Sequence, residues 1–470
     1  MVYNVAMKHS AQTEYDVIVV GGGASGTALF YTLCHYTTTP RVALIEKYDR
    51  VGTVNSHATN NSQTLHVGDI ETNYDVERVR EVYPAAMMVK RYAERFPASR
   101  DTGIMRTMQK MVLGVGAVEV ATLEKRFEAL REIFPTLQKL GPAAIAEVEP
   151  EVMRGRNPEQ PVLALFNTEG HAVDYGALAA SFVRETTERY PERADVHMST
   201  TVQRVEKTPG GYAVHTNAGT LHARVVVFDT DAYSLSFAKS LGYGKEFSLI
   251  PIAGSFYFTP ARLRGKVYRV QDPRMPFAAV HGDPELTREG LTRWGPTARF
   301  YPTLEARRLD AILPFFAASG FGRISTWLSF ASILLDPVRF WYLLRNLFYD
   351  LPVVGTRFLL PQLQRIVPTL TPRDVHRARG YGGMRLQRVD TRTRELLLGE
   401  GKIVGDDIIF NMTPSPGASV CLYNAMRDAE QIAKFVPAYA FDKVAMMQDL
   451  CIPQAQVSGG DVSLKETYAS

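Results

Sequence analysis

The sequence predicts an α/β fold, in which a Rossmann-type nucleotide-binding domain is interleaved with an α+β domain that carries a mixed or antiparallel sheet. Within residues 15–46, a strand, a glycine-rich turn, a helix and a second strand follow one another, which is the order of a βαβ unit. Short β-branched segments recur between 194 and 228, with a turn at Pro209-Gly210-Gly211. Such segments are typical of long chains that insert strands between the pieces of a nucleotide domain.

The βαβ unit begins with Tyr15-Asp-Val-Ile-Val-Val20, the profile of a buried parallel strand, and continues into Gly21-Gly22-Gly23-Ala24-Ser25-Gly26. Gly21 permits the tight turn, Gly23 lets the backbone approach a pyrophosphate, and Gly26 lets the helix pack on the strand. The helix N-terminus, where Ser25 lies, presents free N–H groups to the phosphates. The pattern predicts a dinucleotide site.

The acidic residue that ends the unit narrows the choice of dinucleotide. Glu46, followed by Lys47, closes the second strand and can accept hydrogen bonds from ribose hydroxyls, which disfavours a 2′-phosphate. The fingerprint alone does not separate FAD from NAD. Its position at the start of a long chain with inserted strands favours FAD, and we place Val202 and Thr230 in the same site.

A second small-residue loop lies near the C-terminus. Asp407-Ile-Ile-Phe410 is strand-like, Asn411–Ser419 is a loop, and 420–435 is helix-like. The N-terminus of that helix could direct N–H groups at the flavin, where negative charge gathers on reduction. The alternative is a plain turn without a ligand. The loop residues expected at the cofactor are Thr413, Ser415, Gly417 and Ala418.

Composition excludes several classes of protein. The formal net charge of +4 is too small to indicate a nucleic-acid partner, and no uncharged apolar stretch reaches the length of a membrane-spanning helix. The cysteines, only three in number, form no Cys-x-x-Cys pattern, so we expect a reducing compartment and no metal site.

With both glycine regions identified, the chain resembles the D-amino-acid-oxidase-like superfamily of FAD enzymes, and within it the shorter bacterial branch of the malate:quinone oxidoreductases. The resemblance spans about Tyr15 to Phe435. Its motifs are Asn61-Ser-Gln-Thr-Leu-His66, Gly68–Tyr74, Gln109-Lys-Met111, Gly114-Val-Gly116, Pro251–Phe258, Gly265-Lys-Val-Tyr268, Pro276–Pro284, Gly295-Pro-Thr-Ala298 and Phe410–Gly417. One departure is Asp229-Thr-Asp231, where relatives usually carry an Asn/Asp-Ala-Gly type of turn.

The resemblance implies oxidation of (S)-malate to oxaloacetate at FAD, with electrons passed to a membrane quinone by a cytoplasmic protein that is peripherally associated with the inner face of the cell membrane. It implies an FAD-binding domain at 1–80, 160–245 and 375–440, a substrate domain at 81–159 and 246–374, and a C-terminal tail at 441–470. Three alternatives stay open: oxidation of another 2-hydroxy acid such as 2-hydroxyglutarate, oxidation of an amino acid, and flavin binding without turnover.

Malate oxidation needs groups that hold two carboxylates and a base for the hydroxyl proton. Arg385, in Tyr381-Gly-Gly-Met-Arg385, is the predicted carboxylate clamp because a guanidinium binds a carboxylate through two hydrogen bonds. His281 and His66 are rival candidates for the base. The other candidates are Arg293, Thr297 and Gln63 for substrate binding, and Asn61 and Ser62 for the flavin ring.

The segment 311–349 is rich in Phe, Trp, Leu and Tyr and is interrupted by Arg323, Arg339 and Arg345. This composition is typical of an element that lies at a membrane interface. The alternative is a buried helical pair in the core, and the sequence alone does not decide between them.

Overall fold

The computed structural model describes residues 14–96, 103–272, 279–351, 354–397, 400–414 and 416–451. Strands and helices are numbered along the chain. The strands are β1 (Glu14–Val20), β2 (Val42–Ile45), β3 (Met105–Val115), β4 (Gln138–Leu140), β5 (Val162–Val173), β6 (Ala194–His197), β7 (Val202–Thr208), β8 (Gly211–Thr216), β9 (Gly219–Phe228), β10 (Phe247–Ala253), β11 (Tyr257–Pro260), β12 (Lys266–Arg269), β13 (His281–Pro284), β14 (Leu291–Gly295), β15 (Arg299–Phe300), β16 (His376–Arg377), β17 (Met384–Asp390), β18 (Glu395–Leu397), β19 (Gly401–Gly405) and β20 (Ile408–Met412).

The helices alternate with these strands, and two short 3₁₀ turns lie at Leu309–Ala311 and Gly417–Val420. The helices are α1 (Ala24–Tyr36), α2 (Val76–Ala93), α3 (Ala117–Leu130), α4 (Pro142–Val148), α5 (Pro150–Met153), α6 (Tyr175–Arg189), α7 (Ala232–Ser240), α8 (Ile312–Ser319), α9 (Ile324–Leu334), α10 (Pro337–Tyr349), α11 (Gly355–Gln364), α12 (Cys421–Phe435) and α13 (Lys443–Leu450).

The nucleotide-binding half is built on one sheet with the strand order β19-β20-β9-β1-β2-β6, to which the hairpin β7–β8 is added at β9. Strand β1 pairs in parallel with β2 and β9, so the glycine turn after Val20 opens at the carboxyl edge of parallel strands. One face of this sheet is covered by helices α1, α6 and α12, and a large apolar core lies between these helices and the sheet. The predicted Rossmann-type domain is confirmed.

The second half carries two further sheets, in the orders β15-β10-β17-β18 and β16-β11-β14-β13-β12-β3-β5-β4. Pairing is antiparallel except between β12 and β3, which are parallel. The predicted mixed or antiparallel sheet of an interleaved α+β domain is therefore confirmed.

The structure corrects parts of the predicted domain boundaries. Residues 160–173 and 375–390 were expected in the FAD-binding domain, but β5, β16 and β17 pair within the two sheets of the other half. These strands find partners far away in sequence, which no local pattern specifies. The predicted tail at 441–470 begins with α13, whose Met446 and Leu450 are spaced one helical turn apart and are buried against the core. Residues 452–470 lie outside the described part of the chain.

The segment 311–349 forms α8, α9 and α10. Its inner face, which includes Phe330 and Ile333, packs on the β10–β17 sheet. Its outer face leaves Trp327 57% and Trp341 66% exposed, so these aromatic side chains are not part of a core. Among the described residues, no helix is both long and apolar enough to cross a membrane.

Candidate active site

One cavity of about 680 Å³ begins at the glycine turn and extends between the two halves of the protein. At its nucleotide end, Gly21 has a φ of 117°, and a Cβ on Gly26 would lie 2.0 Å from the Gly21 carbonyl oxygen. A Cβ on Gly23 would meet only the Ser56 hydroxyl, at 3.5 Å, because the backbone there faces the cavity. These are the conditions a pyrophosphate needs to approach the start of α1.

The acidic residue after β2 is held by backbone groups. The carboxylate of Glu46 accepts hydrogen bonds from Gly22 N (2.6 Å) and Tyr48 N (2.9 Å) and lines the cavity. Burial raises the pKa of Glu46, while these two hydrogen bonds act in the opposite direction. Lys47 also lines the cavity, and its ammonium forms an ion pair with Glu305.

Most of the other predicted cofactor residues line the same cavity. They are Ser25, Asn61, Ser62, Val202, Thr230, Thr413 and Ala418. The hydroxyls of Ser25 and Thr413 lie 3.2 Å apart, which joins the first glycine turn to the C-terminal loop. Gly417 is buried behind Thr413 rather than in the cavity wall, and Ser415 lies outside the described residues.

Hydrogen bonds within the loop that follows the βαβ unit stabilise its conformation. The side-chain nitrogen of Asn61 donates to the carbonyls of Asn55 and His57, and its oxygen accepts from Gln63 N. Gln63 adopts a left-handed φ of 53° and is buried outside the cavity wall, and its side-chain amide has no hydrogen-bond partner among the residues that the structure describes. The structure therefore places Gln63 away from the predicted substrate site, because the turn directs its side chain into the protein.

The same cavity is lined by four of the residues predicted to bind or oxidise the substrate. Arg385, on β17 opposite Ile252, lines the wall together with Thr297, His66 and His281. Burial lowers the pKa of Arg385, and the neighbouring Tyr74 and Tyr342 counter this. Four side chains from distant parts of the sequence thus line one cavity.

The two histidines have different partners. His66 Nδ1 lies 2.8 Å from the carboxylate of Glu71. Burial alone would raise the pKa of Glu71, but the pairing with His66, together with the charge of Lys110, holds it below its usual value. His281 Nδ1 lies 3.1 Å from the carbonyl oxygen of Ala279, while Nε2 lies 3.6 Å from Asp283. Because a carbonyl only accepts, the Nδ1 of His281 is the donor there and its Nε2 carries the lone pair.

The environment of His281 keeps its ring neutral. Burial is the main cause that lowers the pKa of His281 to about 4, and the nearby Lys266 and Arg293 add to it against the opposing effect of Asp283. Lys266 in turn forms an ion pair with Asp283 at 3.2 Å and donates to the carbonyl of Ser62.

Arg293 does not reach the cavity, contrary to the sequence prediction. Its guanidinium is fully buried over the ring of Phe256 and lies 3.6 Å from both Asp283 and Glu285. Strand pairing explains this: Asp283 on β13 is directly opposite Arg293 on β14, so the two charges face each other inside the protein. Arg293 therefore lies beside Asp283 and outside the cavity wall.

Sequence reasoning missed several polar side chains in the cavity wall. Tyr268 and Tyr74 lie within motifs that carry the family resemblance, and that position was the only signal in the sequence. Asp229 and Asp231 line the nucleotide side, and burial raises the pKa of these carboxyl groups to about 7 and about 6. Asp231 has a φ of 49°, so it occupies the left-handed position of the unusual turn.

Comparisons with known proteins agree with this geometry. The family model "FAD dependent oxidoreductase" matches residues 16–420. The malate:quinone oxidoreductase of Helicobacter pylori J99 is 38% identical over 431 residues, which cover 90% of this chain and 95% of that protein.

Solved structures share the fold at low sequence identity. Glycine oxidase from Geobacillus kaustophilus superposes with a TM-score of 0.63 at 18% identity, covering 91% of this chain and 97% of that one. L-α-glycerophosphate oxidase from Mycoplasma pneumoniae, solved with FAD bound, gives a TM-score of 0.60 at 17% identity, covering 92% and 97%.

Proposed function

The chain belongs to the FAD-dependent oxidoreductase family and, within it, to the malate:quinone oxidoreductases, and from this premise we propose that it oxidises (S)-malate to oxaloacetate and transfers the electrons to a quinone. The observation that carries the proposal is the continuity of one cavity from the glycine turn to Arg385, His281 and His66. The groups expected to bind the cofactor and those expected to bind the substrate therefore line a single cavity.

The residues of this chain fit FAD. The open position at Gly23, the start of α1 in the cavity wall and the carboxylate of Glu46 suit a dinucleotide, and FAD is the cofactor of the matched family. When bound, FAD supplies the acceptor for the hydride that leaves C2 of the substrate.

Substrate positioning is assigned to Arg385. Its planar guanidinium can hold one carboxylate through two hydrogen bonds, which fixes orientation as well as charge. Tyr74, which lies within electrostatic range of Arg385 and lines the same wall, can donate its hydroxyl to the substrate. The Thr297 hydroxyl already accepts from Ser255 N and lies 3.4 Å from Asp350, so its contribution is to shape the wall.

Proton transfer is assigned to His281, with His66 as the rival. The Nε2 atom of His281 carries a lone pair, has no hydrogen-bond partner in the described structure, and belongs to a side chain in the cavity wall. When Nε2 takes the hydroxyl proton, Asp283 at 3.6 Å stabilises the resulting imidazolium. His66 has a comparable arrangement through Glu71, so mutagenesis has to separate the two.

The quinone partner requires a surface that reaches the bilayer, and we place this surface on α8 to α11. Large apolar side chains are exposed along all four helices, at Leu313, Phe316, Ile324, Trp327, Leu328, Leu335, Phe340, Trp341, Leu347, Phe348 and Phe358. Arginines accompany them at 323, 339, 345 and 357, a composition that suits the headgroup region of an anionic membrane. The membrane contact would lie on the inner face of the cell membrane, towards the cytoplasm.

Reduction of the bound flavin tests the proposed function. Malate added to the purified yellow protein without air should bleach the flavin absorbance, and a long-tailed quinone should restore it. A panel of malate, lactate, 2-hydroxyglutarate and D-alanine identifies the substrate. Bleaching by 2-hydroxyglutarate or D-alanine with no response to malate would replace malate as the substrate, and no bleaching by any of them would indicate a flavin-binding protein without turnover.

A further inference from the structure

A second cavity of about 500 Å³ adjoins the first one. Gly254 and Gly383 line both cavities, so a ridge of glycine backbone is their common wall. A Cβ on Gly382, next along this ridge, would lie 2.0 Å from the Gly254 carbonyl oxygen, which explains why the ridge carries no side chains. The second cavity is lined by four arginines, Arg299, Arg307, Arg377 and Arg379.

Few carboxylates neutralise the positive charges of these arginines within the described residues. Asp350 lies 3.4 Å from Arg299 and 3.3 Å from Arg377, so one carboxylate serves two guanidinium groups. Arg307 donates to the neutral Asn60 side chain, and Arg379 makes no ion pair within the described residues. No Asp or Glu belongs to the described lining of this cavity. Within the described residues, four guanidinium groups thus have one carboxylate between them, which gives this cavity an excess of positive charge.

We propose that this arginine cavity binds a small dicarboxylate and holds it beside the active-site cavity, an inference that rests on the proposed function for the identity of the ligand. Guanidinium forks match carboxylates in geometry, and the cavity has the volume of a small-molecule site. A diacid can place a separate carboxylate on each of two arginines that lie apart, whereas a chloride ion or a monoacid has only one charged group to share between them.

Two contacts connect this site to the active-site wall. Arg307 donates to Asn60, and Asp350 lies 3.4 Å from the Thr297 hydroxyl; Asn60 and Thr297 both line the active-site cavity. A dicarboxylate held here raises the local substrate concentration beside the reacting cavity. This raises kcat/KM and leaves kcat unchanged, and salt weakens the effect because it screens exposed charges.

The test replaces the two arginines of the cavity that do not pair with Asp350, in the double variant Arg307→Gln and Arg379→Gln. The matched control is Arg106→Gln and Arg184→Gln, which removes the same charge from exposed positions that line neither cavity. We expect the first variant to lose about tenfold in kcat/KM for malate at low salt with kcat retained, a factor typical of electrostatic steering. The difference from wild type should shrink at high salt.

Calorimetric titration of the FAD-loaded protein with succinate, a dicarboxylate without a hydroxyl to oxidise, reports binding without turnover. The Arg307/Arg379 variant should lose a succinate site that the control keeps. The inference is overturned if both variants behave alike, if kcat falls together with kcat/KM, or if inorganic phosphate at equal ionic strength displaces succinate equally well. If malate fails to bleach the wild-type flavin, the proposed function falls, while the succinate titration still decides whether this cavity binds dicarboxylates.

Discussion

The imidazole of His281 stacks on the ring of Tyr268, with centroids 4.0 Å apart and planes within 8° of parallel. The hydroxyl of Tyr268 lies 2.7 Å from that of Thr64, so Tyr268 is itself fixed to the loop beside the cofactor. This stacking leaves the imidazole little freedom to rotate. It therefore fixes the direction of the Nε2 lone pair, as a general base requires.

Replacing His281 by Ala should lower kcat by roughly 10²–10⁴, the usual contribution of a positioned base. The pKa of this imidazole is lowered to about 4, so the proton-accepting form prevails above that pH and is lost as the pH falls towards it. The wild-type pH–rate profile should accordingly show an acidic limb near pH 4, and the variant should lack it.

A matched control is His171→Ala, which removes a buried histidine whose pKa is also lowered to about 4 but which does not line the cavity. This control should keep kcat and the acidic limb. If His66→Ala causes the larger loss of kcat, the base is His66 together with Glu71.

Arg385→Lys should lower kcat/KM for malate by a factor on the order of 100 or more, because an ammonium keeps the charge but loses the planar pair of donors. Steady-state kinetics with a soluble dye acceptor measures the loss. The control is Arg388→Lys on the same strand, where the guanidinium stacks over Phe247 away from the cavity. Equal kinetics for wild type and Arg385→Lys at full flavin content would remove Arg385 from the substrate site.

Gly23→Val should abolish FAD binding without unfolding the protein. A side chain here meets only Ser56 at 3.5 Å, so its bulk extends into the space that the pyrophosphate needs. The control is Gly141→Val, at the start of α4, where a Cβ meets nothing within 4 Å and no cavity is lined. Flavin absorbance per folded chain, with circular dichroism as the measure of folding, should be lost only in the first variant; retained flavin there would contradict the assignment.

The features that could be predicted from the sequence are those formed by residues that lie close together in the chain. The glycine turn, the strand before it and Glu46 follow one another within 32 residues, and each requirement is visible in neighbouring side chains. The convergence of Arg385, His281 and His66 was predicted only from the family resemblance, since no local pattern brings such distant positions together.

The predictions that the structure contradicts concern residues whose positions depend on contacts between distant parts of the chain. Arg293 was expected at the substrate because it lies next to the motif that contains Thr297. The pairing of β13 with β14 instead places Asp283 opposite Arg293 inside the protein. The left-handed turn at Gln63 and the packing of β5 in a distant sheet likewise depend on tertiary contacts. The helical segment 311–349 packs with its inner face on the β10–β17 sheet and leaves the apolar side chains of its outer face exposed, so its contact with a membrane stays a prediction.

The surface of α8 to α11 leads to the last prediction. Replacing Trp327, Phe340 and Trp341 by Ser should release the protein from membranes, because exposed aromatic groups of this size gain free energy at the interface between lipid and water. The fold should survive, since the three side chains are 57%, 41% and 66% exposed and contribute little to the core. Activity with a soluble dye should persist, while activity with a long-tailed quinone in vesicles should fall.

Three exposed valines away from this surface provide the control. Val118, Val404 and Val444 are 82%, 46% and 66% exposed, so their replacement by Ser removes apolar surface elsewhere on the protein. This control should still sediment with vesicles that contain anionic lipid and should keep its quinone activity. If the aromatic variant sediments as fully as the control, membrane docking uses another surface, and the exposed aromatic groups of α9 and α10 would instead meet another protein. If both variants lose binding equally, total surface hydrophobicity rather than this set of helices governs the association.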